Sequence, residues 1–246
     1  MIQVQSVTKT YGKKENAFQV LKDVSLEIPD GASVAIIGKS GSGKSTLMHV
    51  MSGLDHPESG QIIIDGQDIL ALKQKEIDSF RSKTIGFIFQ AFFVQGNESS
   101  YDNVSLPLEI AKVPSGQRKA KVEDALAKVE LTDKLKQKAK NLSGGQKQRL
   151  AIARAIVNSP KIIFADEPTG NLDSATGAMV EQLLFDYNKN SGTTLVIVTH
   201  DADLAAKCSM QIHIKDGQIE KIIGGKATGS PKVEATSDRP AKAMAQ

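Results

Sequence analysis

The chain has 246 residues, enough to bury one large α/β core, and its 40% hydrophobic and 24% charged content is ordinary for a soluble globular protein. The net charge is only +3, and most of it comes from four bases set against two acids in residues 226–246, so charge implies no basic face for nucleic acid. The single cysteine, Cys208, excludes an internal disulfide and fits a reducing compartment; it reads as a small buried or half-buried filler in a helix rather than a nucleophile.

The opening stretch "MIQVQSVTKTYG" alternates as a strand does and lacks the apolar block of a signal peptide, so no leader is expected. "SVAIIG", Ser33 to Gly38, is a strand that runs straight into a glycine loop and then into the helix "KSTLMHVMSG", closed by Gly53. "QIIIDGQDI" carries Asp65-Gly66 as a turn pair between two short strands, and "TIGFIFQ" is a further strand. From Ala91 to about Asn158 the pattern is helical, with Val122, Leu126 and Val129 on one stripe. Strands resume with "KIIFADE" and "TLVIVTH", separated by a helix over about Ser174 to Asn190, and "MQIHIKDGQIEKI" reads as a closing hairpin around Asp216-Gly217.

Short apolar strands alternating with amphipathic stretches predict an α/β fold with a mostly parallel sheet covered by helices. The helical stretch of about 65 residues is longer than any ordinary connection and reads as an insertion. The apolar runs are strand-sized and too short to span a bilayer. Residues 226–246 have no aromatic side chain and almost no large apolar one, so they are expected to form a flexible tail.

"GKSGSGKST", with Gly38, Lys39, Ser40, Gly41, Ser42, Gly43, Lys44, Ser45 and Thr46, fits the spacing of a phosphate-binding loop between a buried strand and a helix. Glycines let backbone N–H groups turn inward, Lys44 reaches the β- and γ-phosphates, the Ser45 hydroxyl suits Mg²⁺, and the helix aims its positive end at the same charge. "KIIFADEP" brings Asp166 and Glu167 out at the carboxyl end of a strand, where open α/β sheets bind ligands. Successive strand side chains point to opposite sides, so the two acids are assigned different work. Asp166 suits the Mg²⁺ shell, and Glu167 is free to polarise an attacking water. His200 ends the next apolar strand, placed to hydrogen-bond a γ-phosphate. His49, His56 and His213 read as structural, with His213 on the wetter face of a strand. In "NLSGGQKQR" the residues Ser143, Gly144 and Gly145 form a bare, cap-like helix entry, a second place for an anion.

The order of "GKSGSGKST", "FIFQ", "LSGGQ", "IIFADE", "NLD" and "VTH" resembles that of the nucleotide-binding subunits of ABC-type ATPases, from about Met1 to Ile223. "ADEPTGNLDSATG" and "FIFQAFF" are similar to the branch that includes lipoprotein-releasing, macrolide-export and cell-division ATPases. The resemblance implies a P-loop NTPase fold of the ABC-ATPase kind. Its domain covers residues 1–225, a mixed-sheet core with a helical subdomain inserted at about 91–158. It implies ATP and Mg²⁺ as cofactors, and hydrolysis in a dimer packed head to tail. There Ser143, Gly144, Gly145 and Gln146 of one copy close over the nucleotide on the loop of the other.

By position, Tyr11 resembles the aromatic residue that stacks on adenine. Gln90 resembles the glutamine that touches Mg²⁺ or the water and joins the insertion to the core. Asp173 resembles an acid that crosses the dimer interface, and it also suits the N-cap of the next helix. Lys44, Gln90, Glu167 and His200 are then the catalytic set, and Ser45, Gln90 and Asp166 the Mg²⁺ ligands. The resemblance further implies a separate transmembrane permease, driven through contacts around Gln90 to Asn103 from the cytoplasmic face of the cell membrane, with export or extraction favoured over import. One departure falls there: "FIFQAFF" continues as "VQGNESSYDNV" instead of the leucine-proline segment usual in that branch. A regulatory ATPase that switches a membrane partner without moving cargo ends at the same coupling surface. Action on nucleic acid is not expected, since the chain holds one cassette and no long coiled coil.

Overall fold

A computed structural model describes residues 1–224, and the expected tail at 226–246 lies outside the described residues. In chain order come strands β1 (Ile2–Tyr11), β2 (Phe18–Ile28) and β3 (Ser33–Ile37), helix α1 (Lys44–Met51), β4 (Ser59–Ile64), β5 (Gln67–Asp68), α2 (Gln74–Thr84) and β6 (Ile85–Phe89). They are followed by α3 (Ser100–Ile110), α4 (Ser115–Lys128), α5 (Gly144–Ile156), β7 (Ile162–Asp166), α6 (Ser174–Ser191), β8 (Thr194–Thr199), α7 (Ala202–Ala206), β9 (Met210–Lys215) and β10 (Gln218–Ile223).

The strands form two sheets. An antiparallel sheet has the order β2-β1-β4-β5. The larger sheet has the order β10-β9-β3-β8-β7-β6 and is parallel except for β10 at its edge. The mixed-sheet α/β fold therefore agrees with the sequence. Helices α3, α4 and α5 fill the chain between β6 and β7, which are neighbours in the large sheet, so the inserted helices leave and return at one edge.

The apolar runs follow from burial on both faces. Ile162 and Phe164 of β7 pack between the two sheets with Leu47 and Met48 of α1, whereas Ile163 and Ala165 face the helices beside Leu150 and Ile152. Val122, Leu126 and Val129 are all buried in the helical layer, as their stripe requires.

Three elements escape the sequence pattern. Strand β2 is irregular: Asp23 has φ +51° and the pairing with β1 shifts register, so buried Leu21 and Val24 are three apart instead of two. Helix α2 buries only Ile77, and α7 spans a mere five residues. Cys208 is buried, but it lies just beyond the end of α7 and not in a helix; burial pushes its thiol up to about 12, which leaves it unreactive.

Phe164 is fully buried and its ring lies 6.1 Å from that of Phe87. Phe164→Ala is expected to cost about 3–5 kcal/mol, the usual loss for a buried aromatic truncated in a core. Urea unfolding followed by circular dichroism measures it.

Candidate nucleotide-binding site

In the parallel register Ile37 of β3 pairs with Thr199 of β8, and Val198 of β8 pairs with Asp166 of β7. Three carboxyl ends therefore finish together. They carry the glycine loop, His200, and the acids Asp166 and Glu167, and they open on a cleft of about 530 Å³.

The loop's glycines have distinct reasons. A Cβ on Gly38 would lie 2.2 Å from the Ile214 carbonyl oxygen, so only glycine lets the loop pass under β9. Gly43 has φ +102° and precedes α1 as an N-cap without a side-chain hydrogen bond, leaving the first helical N–H groups free for an anion. Lys44 Nζ donates to the carbonyls of Gly38 at 2.9 Å and Lys39 at 3.1 Å, folded over its own loop. Ser40, Gly41, Gly43, Lys44, Ser45 and Thr46 line the cleft; Lys39 and Ser42 do not. Ser42 Oγ is buried without a partner among the described residues, and its carbonyl accepts from Gly217 N at 3.1 Å.

The Ser45 hydroxyl donates to Asp166 Oδ1 at 3.3 Å. Burial raises the Asp166 carboxyl above its ordinary range, and the Ser45 hydrogen bond only partly opposes this. A hydroxyl beside a half-buried carboxylate, with no third acid nearby, fits a cation that takes most of its ligands from phosphate and water, as Mg²⁺ does. Among the described residues no cluster of three His, Cys, Asp or Glu exists to cage a metal.

Glu167 departs from strand alternation. β7 ends at Asp166, and Glu167 has φ +47°, a left-handed conformation strained for a non-glycine residue. Its N–H donates to the Val198 carbonyl at 2.9 Å, and its Oε1 lies 2.8 Å from His200 Nδ1. The left-handed turn, rather than the pleat, thus aims this carboxylate at the imidazole. His200 Nε2 makes no hydrogen bond among the described residues, and the ring is largely exposed to the cleft.

Tyr11 lies at the mouth of the cleft beside Phe18 and Val20. The last two were not read from the sequence because they belong to the irregular β2; the apolar spacing of Phe18 and Val20 was the available signal.

Gln90 does not line the cleft. Its Nε2 donates to Asn171 Oδ1 at 3.3 Å, and Asn171 returns a bond to the Gln90 carbonyl at 2.9 Å. Ser143, Gly144, Gly145 and Gln146 likewise do not line the cleft of their own chain. Ser143 is the N-cap of α5, and Gln146 completes a capping box: its N–H donates to Ser143 Oγ at 3.3 Å and its Oε1 accepts from Ser143 N at 3.0 Å. Capping therefore gives Gln146 a structural role, the one that an S-x-x-Q spacing at a helix start signals. Gly144 is open, with nothing within 4 Å of a Cβ, whereas a Cβ on Gly145 would come 2.3 Å from Thr176 Cγ2. Asp173 caps α6, accepting from Thr176 N at 3.0 Å and from the Thr176 hydroxyl at 2.7 Å; these bonds lower its carboxyl pKa.

A glycine loop feeding a helix, a lysine over it, and a hydroxyl–carboxylate pair beside a second acid define a P-loop nucleotide-binding protein. The family model described as "ABC transporter" matches residues 21–170, and the chain belongs to that family as an ATP-binding subunit. It is 43% identical over 219 residues to the "Lipoprotein-releasing system ATP-binding protein LolD" of Syntrophus aciditrophicus (strain SB), covering 89% of this chain and 98% of the relative. It is 44% identical over 220 residues to the "Uncharacterized ABC transporter ATP-binding protein YknY" of Bacillus subtilis (strain 168), covering 89% and 95%. Among solved structures it is similar to the dimeric post-hydrolysis state of the ATP-binding cassette MJ0796 bound to ADP and Pi, with 39% identity, a TM-score of 0.84, and coverage of 93% of this chain and 100% of that one.

An Asp166 whose folded pKa lies above its unfolded value carries a charge that folding disfavours. This destabilisation is absent at low pH, grows as pH rises through the unfolded and then the folded pKa, and is complete at neutral pH. Asp166→Asn is therefore expected to raise the melting midpoint of the ligand-free protein by a few degrees at pH 7 and to leave it unchanged near pH 3. Differential scanning calorimetry at both pH values tests the sign.

Proposed function

We propose that this chain hydrolyses ATP with Mg²⁺ in a head-to-tail dimer and thereby drives a transmembrane permease from the cytoplasmic face of the membrane. The observation that carries the proposal is the Glu167 carboxylate, held against His200 beside the Ser45–Asp166 pair at the rim of the glycine-loop cleft.

Lys44 would leave the Gly38 and Lys39 carbonyls for the β- and γ-phosphates, where its charge meets a stronger acceptor. Ser45 and Asp166 would hold Mg²⁺, which when bound neutralises phosphate charge. Glu167 accepts a proton from the attacking water at its carboxylate. His200 holds that carboxylate through its Nδ1 contact, and its exposed ring is placed to meet the γ-phosphate. Gln90 reaches the nucleotide only by releasing Asn171, which suits it to pass the nucleotide's state to the inserted helices.

The dimer is supported by Ser143–Gly145 lying outside the lining of their own chain's cleft, at a capped helix start whose Gly144 is open to an approaching group. It is also supported by the dimeric cassette with ADP and Pi to which the chain is similar. A membrane partner is favoured by the match to the ABC transporter family and by Phe93, just past Gln90, which is 64% exposed. Relatives named for lipoprotein release make extraction of a lipid-bearing cargo the leading transport reaction. Residues 1–225 act as one ATPase domain, with 226–246 as an appended tail.

Glu167→Gln is expected to retain ATP binding and to accumulate a dimer. It should slow phosphate release by about 10²–10⁴-fold, the usual contribution of a positioned base. Phosphate release and size-exclusion with light scattering measure both effects; turnover at the normal rate would remove Glu167 from the role. Lys44→Ala is expected to weaken ATP binding itself by at least about tenfold, since a charge-assisted contact is lost. Equilibrium binding of labelled ATP reports it.

A further inference from the structure

Tyr11 is held by neighbours that lie outside the cleft. Its hydroxyl donates to Asp55 Oδ2 at 2.6 Å, and Lys9 Nζ lies 4.9 Å from its ring centroid. Lys9 is only 8% exposed, which is rare for a lysine. Its ammonium donates to Asp55 Oδ1 at 2.7 Å and to the His56 carbonyl at 2.6 Å. The His56 N–H completes the arrangement, donating to Asp55 Oδ1 at 2.8 Å. Both carboxylate oxygens are thus engaged.

Exposed ion pairs contribute little, but a buried ammonium deprived of its carboxylate is costly. Lys9 therefore binds Asp55 to β1 firmly. These bonds also act on the carboxyl itself: burial pushes it up, yet the Lys9, Tyr11 and His56 bonds together leave it below its ordinary range.

The placement has two consequences. Lys9 and Tyr11 are two residues apart on β1, so the ammonium reaches the ring from the strand's own side. Asp55 follows α1, the helix that starts at Lys44, and both Leu54 N and Asp55 N donate to the His49 carbonyl, at 2.9 and 3.2 Å. One helix therefore begins at the phosphate loop and, at its far end, fixes the aromatic residue. An aromatic ring with a cation on one face and a tethered hydroxyl has lost most of its freedom before any ligand arrives, so a flat ligand stacking on it does not have to order it.

The geometry points to Lys9 and Asp55 as positioning residues that hold the Tyr11 ring as a fixed platform for the purine of the nucleotide, with the ammonium against one face and the base on the other. This rests on the nucleotide reading of the cleft. Neither residue lines the cleft, so their influence falls on the base end and not on the phosphates.

Calorimetric titration of the full chain with ADP and, separately, with inorganic pyrophosphate tests the assignment. Tyr11→Ala is expected to weaken ADP about tenfold, the scale of a lost base–aromatic stack. Lys9→Met and Asp55→Asn should each weaken ADP about three- to tenfold, with pyrophosphate affinity within about twofold of wild type. Lys9→Arg should restore wild-type affinity for ADP. The double variant Lys9→Met/Tyr11→Ala should be no worse than Tyr11→Ala alone, because the network acts only through the ring. The chain has no tryptophan, so quenching of tyrosine emission by ADP gives a second readout, and it should shrink in Lys9→Met and Asp55→Asn.

Wild-type ADP binding in Lys9→Met and Asp55→Asn, alongside a loss in Tyr11→Ala, overturns the positioning role alone. So do parallel losses of pyrophosphate, or losses that add in the double variant. Wild-type ADP binding in Tyr11→Ala overturns the base-site reading of Tyr11 and the platform with it. Should Lys9→Met not fold, Tyr11→Phe replaces it: the ring stays, the tether goes, and its ADP affinity should match that of Asp55→Asn.

Discussion

The register of three neighbouring parallel strands sets the position of everything at the nucleotide cleft. β3, β8 and β7 are apolar on consecutive positions because both faces are buried, one against α1 and the antiparallel sheet, the other against the helices. A slip of one residue would exchange the two faces and move every terminal group by a strand repeat. With Ile37 opposite Thr199 and Val198 opposite Asp166, the glycine loop, the imidazole and the acids finish at one level. Packing in the core thus fixes polar chemistry at the rim, and the raised pKa of Asp166 is the electrostatic cost of setting a carboxylate so close to that core.

Helix α5 extends this control into the inserted helices. Its start is capped by Ser143 and open at Gly144, while its other side is fastened at two points. Fully buried Gln148 donates to the Pro168 carbonyl at 2.5 Å, in the turn just after Glu167. Arg154 donates to the carbonyls of Phe93 at 2.6 Å and Phe92 at 2.9 Å, in the segment just after Gln90. Phe92 and Phe93 both have positive φ, at 55° and 48°, a conformation that non-glycine residues hold only when their surroundings enforce it. The guanidinium supplies that enforcement without a carboxylate partner among the described residues. The same helix therefore touches the turn that orients Glu167 and the segment that Gln90 begins.

Legibility in the sequence divides along the range of the interactions involved. The strands before the glycine loop, Asp166 and His200 were readable because double-sided burial writes an unbroken apolar run. The Val122–Leu126–Val129 stripe was readable because a single helix face is a local property. Strand β2 was not, since a bulge at Asp23 breaks the two-residue period, and with it went Phe18 and Val20 of the cleft wall. The direction of Glu167 was not readable either, because the pleat stops one residue earlier and a left-handed turn takes over.

The sequence by itself determined the chemistry: which loop can wrap phosphates, and which acids and imidazole stand at strand ends. Those features depend on spacing within a dozen residues and on side-chain type. Only the tertiary structure decided which of them meet. It joined Ser45 to Asp166 and His200 to Glu167, held Gln90 against Asn171, and left the Ser143 corner out of the cleft lining. Each of those outcomes depends on strand order and helix packing between segments far apart in the chain, which no local pattern encodes.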